Sequence, residues 1–274
     1  MPIQATRHIR KMRGGAQGHL LAASDGHCYV TKAVNNPQGG RILVNEWLAS
    51  VFLEHLQIAA PPAALIEVTP RFLEENPQLA MRLGERAIPF EPGWCYGSRF
   101  PGDPHVITVF DFVSDDHLRE LMNPWEFGAI LPFDKWAGNT DARQSIFYRA
   151  RVRAANTAYE TTGVVTQMID HGFIFDGPHW RFADAPTQGA YPRSSAYESV
   201  RSWRDFEPWL ERVVHFPEEV IDRAMKQIPA RWVDGDEDHL HALLERLYQR
   251  RARTPRLIED IIRAKPALFP NWMR

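Results

Sequence analysis

The spacing of hydrophobic residues in the first third of the chain predicts strands followed by one long helix. Residues 17–34 alternate apolar and polar positions, which indicates two short strands joined at Asp25-Gly26, a dipeptide typical of tight hairpin turns. After the turn-forming segment NNPQGG, apolar residues recur at helical spacing through RILVNEWLASVFLEHLQI and stop before Pro61-Pro62. Short extended segments follow around AALIEV and WCYGSRF. We therefore expect a sheet with one main helix over the first hundred or so residues.

Beyond about Pro104 the pattern becomes mainly helical. ITVFDFV is either a further strand or a connector, and NPWEFGAILPFDKWAG has helical spacing. Residues Thr162 to Phe175 return to a strand–turn–strand pattern that Asp176-Gly177 closes, and helical segments dominate from Trp203 onward. The sequence therefore predicts an α+β fold with a β-rich front, a helical back and a small hairpin between them.

Composition and charge exclude several classes of protein. The formal net charge of −2 over 274 residues gives no general attraction to nucleic acid or to acidic membranes. No stretch approaches the roughly 20 apolar residues that span a bilayer, and no apolar run follows the basic N-terminus. The two cysteines, Cys28 and Cys95, fit a reducing compartment better than a disulfide framework. We therefore expect a cytoplasmic protein that binds neither membranes nor nucleic acid.

A lysine and a glutamate near the start of the chain are the first candidates for chemistry. Lys32 ends an alternating strand, and Glu46 follows in the predicted helix between apolar Val44 and Trp47. A glutamate beside the buried face of a helix requires a cation, and a strand lysine paired with a helix glutamate positions ATP phosphates in protein kinases. The alternative is that both are ordinary surface residues.

Glycines before the first predicted strand add a possible phosphate site. Gly14, Gly15 and Gly18 lie in RGGAQG, where the absence of side chains would let backbone N–H groups approach a phosphate. Such turns are common, so this signal depends on the lysine-bearing strand that follows it.

Two aspartates are the remaining candidates for catalytic or metal-binding residues. Asp170 ends an apolar strand in MIDHGFIF just before a glycine turn, which suits a carboxylate that holds Mg²⁺. Asp141 lies in a polar loop, from which it could orient the hydroxyl proton of a phosphoryl acceptor. Either aspartate could instead cap a turn. The surrounding segment FDKWAGNTDARQSIF also contains Asp134, Asn139, Arg143 and Gln144.

These segments together resemble the HipA-like kinases, relatives of the protein kinase and phosphoinositide kinase fold. The segments that carry the resemblance are VTKAVNNPQGGRILVNEWLA, PPAALIEV, WCYGSRF, FDKWAGNTDARQSIF and IDHGFIF. The resemblance implies a two-lobed kinase-like fold, with an N-lobe over residues 1–108 and a C-lobe over residues 109–274. It also implies an ATP-binding Lys32, its partner Glu46, a catalytic Asp141 and a metal-binding Asp170. The implied reaction is Mg²⁺-dependent transfer of the ATP γ-phosphoryl group to Ser or Thr of a protein.

The sequence departs from the family pattern at two places. The family usually has a magnesium-binding asparagine five residues beyond the catalytic aspartate, where this chain has Ile146. Gln144 offers an amide oxygen if the loop is shortened, and Asn139 is a second candidate. HipA-type toxins also carry a regulatory serine in the phosphate loop, whereas RGGAQG has no hydroxyl residue.

Two other functions compete with a protein kinase. One is a nucleotide-binding but weakly catalytic regulatory or interaction module, such as an operon-encoded partner of a toxin or defence system; Ile146 is the residue that favours it. The other is a small-molecule kinase, which needs a deep, closed acceptor pocket. His239 and His241 in DEDHLH are two residues apart and point in different directions on a helix, so we expect no metal site there.

Overall fold

Five strands close into a barrel in the first part of the chain. The computed structural model describes residues 2–13, 17–153 and 160–273, so the predicted phosphate-loop glycines Gly14 and Gly15 lie outside it. The strands of this region are β1 (Ile3–Lys11), β2 (His19–Ala23), β3 (Cys28–Lys32), β4 (Ala63–Val68), β5 (Ala80–Leu83), β6 (Arg86–Pro89) and β7 (Gly93–Arg99). The barrel order is β1-β2-β3-β7-β4, and β5 and β6 form a separate hairpin.

The predicted hairpin over residues 17–34 is confirmed. β2 and β3 pair antiparallel with Ala22 opposite Cys28, and the turn between them contains Gly26 at a φ of 82°. That left-handed conformation costs glycine little, which is why Asp25-Gly26 predicts the turn. β1 was not predicted, because its exposed basic residues obscure the apolar alternation.

Side chains that alternate along the strands fill the barrel. Leu21 and Tyr29 from the β2–β3 hairpin meet Ile66, Val68 and Cys95 in one buried cluster. Burial raises the pKa of the Cys95 thiol to about 12, so this cysteine remains protonated at neutral pH. Cys95 is therefore a packing residue, as its apolar neighbours indicate.

The predicted long helix is α1 (Gly40–Leu56), and it is buried on most of its surface. It packs against β7 and β4 of the barrel and against helices of the later part of the chain. A helix with apolar contacts on several sides needs few polar positions, so the buried Asn45 and Glu46 are conspicuous. A short second helix, α2 (Pro70–Glu75), was not predicted.

A β-hairpin and several short elements follow the barrel. They are β8 (Val109–Phe110), α3 (Asp115–Arg119), α4 (Glu126–Ala137), β9 (Gln144–Arg153) and β10 (Glu160–Ile169). β8, β9 and β10 form one antiparallel sheet in the order β10-β9-β8, with Gln144 opposite Ile169. ITVFDFV therefore contributes both a two-residue strand and a connector.

The predicted strand–turn–strand over Thr162 to Phe175 is wrong in its second half. β10 pairs with the preceding β9, and the chain leaves the sheet at Asp170, which has a φ of 56°. A 3-10 segment, Ile174–His179, then buries Ile174 and Phe175 side by side. Adjacent residues of a strand point to opposite faces, so two consecutive residues buried in one core are incompatible with a strand that has one exposed face.

The last part of the chain is helical, as predicted. Its helices are α5 (Trp209–Val214), α6 (Glu218–Lys226), α7 (Ala230–Val233), α8 (Glu237–Arg250) and α9 (Thr254–Ala264). They pack on α1 and α4, where Phe52, Trp136 and Phe216 form mutual aromatic contacts. In the described part of the chain, no helix has the length and apolar character to cross a membrane. The fold is thus mixed α and β, while the two-lobed arrangement and the boundary at residue 108 stay predictions.

Candidate active site

Three charged side chains from distant parts of the chain meet beside a cavity. The Lys32 ammonium group contacts Glu46 Oε1 and lies 2.9 Å from Asp170 Oδ1. Lys32 ends β3, Glu46 lies in α1, and Asp170 follows β10. We call this group the ion triad. The structure therefore brings together three of the predicted site residues, whose catalytic roles remain predictions.

Burial and the mutual attraction of the three charges shift the pKa values of the ion triad. Desolvation raises the pKa of Glu46 and the nearby Asp170 charge raises it further, while Lys32 acts in the opposite direction. Desolvation lowers the pKa of Lys32, but its two carboxylate partners outweigh that effect and raise the pKa overall. Desolvation raises the pKa of Asp170, yet attraction to Lys32 leaves it below its ordinary value. Asp170 is also the most accessible of the three, with 30% of its side chain exposed.

The loop that carries Asp170 is attached to α1 by hydrogen bonds. The backbone N–H of His171 donates to Glu46 Oε2 at 3.2 Å. Asn45 Nδ2 donates to the carbonyl oxygens of Gly172, Ile174 and Gly177 at 2.7–3.1 Å. Sequence reasoning missed Asn45, although a buried amide on an apolar helix face does indicate backbone partners.

Gly172 is necessary where this loop crosses α1. A Cβ atom added at Gly172 would lie 2.8 Å from Ile42 Cγ2, closer than carbon atoms approach. The glycine lets the backbone after Asp170 contact the helix directly, so Asp170 and Glu46 stay on the same side of the cavity.

Asp141 lies in the loop between α4 and β9. Its backbone N–H donates to Asn139 Oδ1 at 3.1 Å, and its Oδ1 accepts from the Ala142 N–H at 2.7 Å. The Gln144 amide nitrogen faces Asp141 Oδ2 at 3.4 Å. The Asp141 carboxylate is exposed, while its neighbours Ala142 and Gln144 line the cavity. Asp141 can therefore accept a proton from a molecule that approaches from solvent.

The cavity has a volume of about 720 Å³, within the range of small-molecule sites. Its walls come from the barrel, from the β9–β10 hairpin and from the segment around Tyr191. The lining contains both apolar and charged side chains, a combination that suits a ligand with a ring system and an anionic end. The lining residues include Arg13, Gly18, Val30, Lys32, Tyr96, Phe100, Gln144, Ile169, Asp170 and Arg193.

The oxygen donors in the cavity fit a magnesium ion that shares its coordination with phosphates. Among residues 2–13, 17–153 and 160–273 there is no cluster of three or more His, Cys, Asp or Glu side chains able to hold a metal ion. Mg²⁺ in phosphotransferases is commonly held by one or two carboxylates, substrate phosphates and water, so a full protein cage is unnecessary. Asp170 and Gln144 both line the cavity, at the paired ends of β10 and β9.

Asn139, the other candidate amide, is engaged elsewhere. Asn139 is 5% exposed, its Nδ2 donates to Asp134 Oδ1 at 3.0 Å, and its Oδ1 accepts from the Asp141 N–H. Ile146 is buried in β9 opposite Gln167. Gln144 is therefore the amide that remains as a candidate metal ligand.

Comparison with protein families gives a match over most of the chain. A family model described as HipA-like kinase matches residues 6–254. This range includes most of the barrel, the ion triad, Asp141 and most of the helical part. A search of curated proteins found no match.

The ion triad predicts an unusual pH dependence for Lys32→Met. This variant lacks the cation that lowers the pKa of Glu46, so the buried carboxyl will hold its proton to higher pH than in the wild type. A carboxyl whose pKa is raised by folding contributes stability below its unfolded pKa, and that stability is lost as pH rises through the folded pKa. Relative to wild type, we expect the free energy of unfolding of this variant to fall as pH rises above the unfolded pKa of glutamate, about 4.3, by at most about 1.4 kcal/mol per pH unit.

Urea denaturation at several pH values measures this effect. Lys265→Met is the matched control, because Lys265 is exposed and its ammonium donates to a backbone carbonyl. The prediction is wrong if the two variants show the same pH dependence relative to wild type.

Proposed function

The chain belongs to the HipA-like kinase family, and on this premise we propose that it is an ATP- and Mg²⁺-dependent phosphotransferase acting on Ser or Thr of a protein. The observation that carries the proposal is Lys32, held between Glu46 and Asp170 at the wall of the cavity. This arrangement is suited to phosphoryl transfer, in which the protein contributes positioning and charge neutralisation more than covalent chemistry.

We propose that the ion triad binds the phosphates. A lysine ammonium group has three donors, of which Glu46 and Asp170 use two, so one N–H remains for a phosphate oxygen. Glu46 holds the ammonium group in place, and the absence of side chains at Gly14, Gly15 and Gly18 would let backbone N–H groups approach the phosphates. The apolar surface of Val30, which also lines the cavity, would receive the adenine ring.

Asp141, Asp170 and Gln144 have separate roles in this mechanism. Asp141 accepts or orients the proton of the acceptor hydroxyl, since its carboxylate is exposed and beside the cavity. The Asp170 carboxylate and the Gln144 amide oxygen would hold the magnesium ion, which would neutralise charge on the phosphates. Residues of the proposed N-lobe (1–108) and C-lobe (109–274) line the same cavity, which supports nucleotide binding between two lobes.

The second candidate function is a nucleotide-binding regulatory or interaction module with weak catalysis. The specific observation in its favour is Ile146, which puts a hydrocarbon side chain where the family usually has a magnesium ligand. Such a protein would bind ATP through Lys32 and transfer phosphate slowly to any acceptor. The two free cysteines support a cytoplasmic location for either function.

ATP binding is the first test. Magnesium and ATP should raise the melting temperature, because a ligand that binds only the folded protein stabilises it by about 2.7 kcal/mol at 100 times its dissociation constant. Lys32→Ala should show a much smaller shift in differential scanning fluorimetry, and Lys265→Ala should match the wild type. Absence of any shift with millimolar ATP or ADP would contradict both candidate functions.

Substitution of Asp141 and substitution of Asp170 should affect ATP binding and phosphotransfer differently. Asp141→Asn should bind Mg²⁺ and ATP with nearly wild-type affinity yet lose at least about 100-fold in phosphotransfer, because general acid–base groups contribute about that much. Asp170→Asn should lose phosphotransfer and also weaken the magnesium-dependent part of ATP binding. Radiolabelled ATP with a cell lysate measures transfer, and calorimetry measures binding. Wild-type transfer by Asp141→Asn would disprove its assignment.

Gln144 distinguishes the active kinase from the interaction module. If its amide oxygen binds the metal, Gln144→Ala and Gln144→Asn should each need several-fold more Mg²⁺ for half-maximal activity, the latter because the amide is shortened by one methylene. Asn123, whose amide bonds the backbone of Thr166, gives the control Asn123→Ala. Unchanged magnesium titrations for both Gln144 variants would exclude it as a ligand. Nucleotide binding without turnover in the wild type would favour the interaction module.

A further inference from the structure

A buried ion pair lies beneath the two candidate aspartates. The side chains of Asp134, in α4, and Arg143, just before β9, are both fully buried. Arg143 Nε donates to Asp134 Oδ2 at 2.8 Å, and Arg143 Nη2 donates to Asp134 Oδ1. Arg143 lines the cavity, but neither residue of this bidentate pair has a role in the function proposed above.

Each member of the pair extends to one of the two loops. Arg143 Nη1 donates to the carbonyl oxygen of Ile169 at 2.9 Å, immediately before Asp170. Asp134 Oδ1 accepts from Asn139 Nδ2 at 3.0 Å, and Asn139 Oδ1 accepts from the backbone N–H of Asp141 at 3.1 Å. One pair of side chains is therefore bonded, directly or through a single residue, to the backbone at both candidate aspartates.

We propose that Asp134 and Arg143 are positioning residues that fix the Asp141 and Asp170 loops relative to each other. The proposal rests on the function proposed above, because that function needs the proton acceptor and the metal ligand at a defined separation. Asp134 is not among the residues that line the cavity, and all three guanidinium nitrogens of Arg143 bond protein atoms. A buried ion pair contributes little to stability compared with well-packed apolar residues, so stability alone does not account for this one. An apolar pair at these positions could not make directed hydrogen bonds to the two loops, whereas Asp134 and Arg143 do.

The guanidinium group is the chemical reason for an arginine at this position. Its planar fork supplies donors in fixed directions, and Arg143 uses three nitrogens on Asp134, Ile169 and His171. A lysine ammonium at the same place has neither the fork nor the reach to maintain all these bonds. Arg143→Lys therefore retains the charge and removes the geometry.

His171 completes the network as a neutral ring. Arg143 Nη1 can only donate, so His171 Nδ1, 3.0 Å away, is the acceptor, and Nε2–H donates to the Met168 carbonyl at 3.2 Å. The contact with Arg143 therefore fixes which ring nitrogen of His171 carries the proton.

The test replaces the pair by apolar residues of similar size. Asp134→Leu/Arg143→Met should keep a cooperative thermal transition, because such replacements are often neutral or stabilising. Backbone amide exchange should accelerate at least about tenfold in residues 139–144 and 169–172 if the loops lose their restraint. Phosphotransfer kcat should fall on the order of 100-fold with a small change in the KM for ATP, as misplacement of catalytic groups predicts.

Matched variants keep the test decisive. Arg41 and Asp236 form a partly exposed bidentate pair at 2.6–2.7 Å, and Arg41 Nη1 also donates to the Pro178 carbonyl, which lies outside residues 139–144 and 169–172. Arg41→Met/Asp236→Leu should leave amide exchange in both loops unchanged. If the buried double variant does not fold, Arg143→Lys is measured instead, with the same expected changes in exchange and kcat.

Four results can be told apart. Wild-type exchange in both loops of a folded variant overturns the proposal, and so does wild-type kcat in a variant whose loops exchange faster. Faster exchange in both loops, with a wild type that transfers no phosphate, supports positioning and rejects the kinase function. Faster exchange together with reduced kcat supports both.

Discussion

The buried charges of Lys32, Glu46 and Asp170 impose the strongest constraint on the described structure. Removing a single ammonium or carboxylate from water costs several kcal/mol, and that cost is offset only if opposite charges meet with good geometry. Glu46 is 2% exposed and Lys32 is 8% exposed, so water cannot solvate either charge well. The fold must therefore bring three positions close together: the end of β3, the middle of α1 and the end of β10. The packing of the surrounding residues has to be compatible with that arrangement.

The packing around α1 meets that constraint. The barrel contacts one side of α1 and the later helices contact others, so the helix cannot rotate without losing apolar contacts. Asn45, the residue before Glu46, bonds three carbonyl oxygens of the segment that follows Asp170. The same short stretch of α1 therefore holds both the lysine through Glu46 and the Asp170 loop through Asn45. This coupling makes the ion triad a consequence of the fold as well as a candidate for chemistry.

Local sequence patterns predicted most of the secondary structure and part of the candidate site. They did not predict the roles of residues whose partners are backbone groups far away in the sequence. The β2–β3 hairpin and α1 follow from turn chemistry and periodicity, and the Lys32–Glu46 contact follows from an unpaired carboxylate on a buried helix face. Asn45 and the Asp134–Arg143 pair were not assigned roles, because their partners are carbonyls and loops brought close only by the tertiary fold. The second strand that we predicted after Asp170 is wrong for a related reason. The apolar residues there have the sequence pattern of a strand, but the backbone turns through left-handed conformations.

The strand register places position 144 nearer than position 146 to Asp170, the proposed metal ligand. Residues 144 and 146 are two apart in β9, so their side chains share a face but lie about 6.6 Å apart along the strand. Gln144 pairs with Ile169, the residue directly before Asp170, whereas Ile146 pairs with Gln167. The hairpin thus begins early enough that position 144, not 146, is beside the candidate metal carboxylate. An asparagine restored at position 146 would lie two residue pairs further into the sheet, and therefore further from Asp170 than Gln144 does.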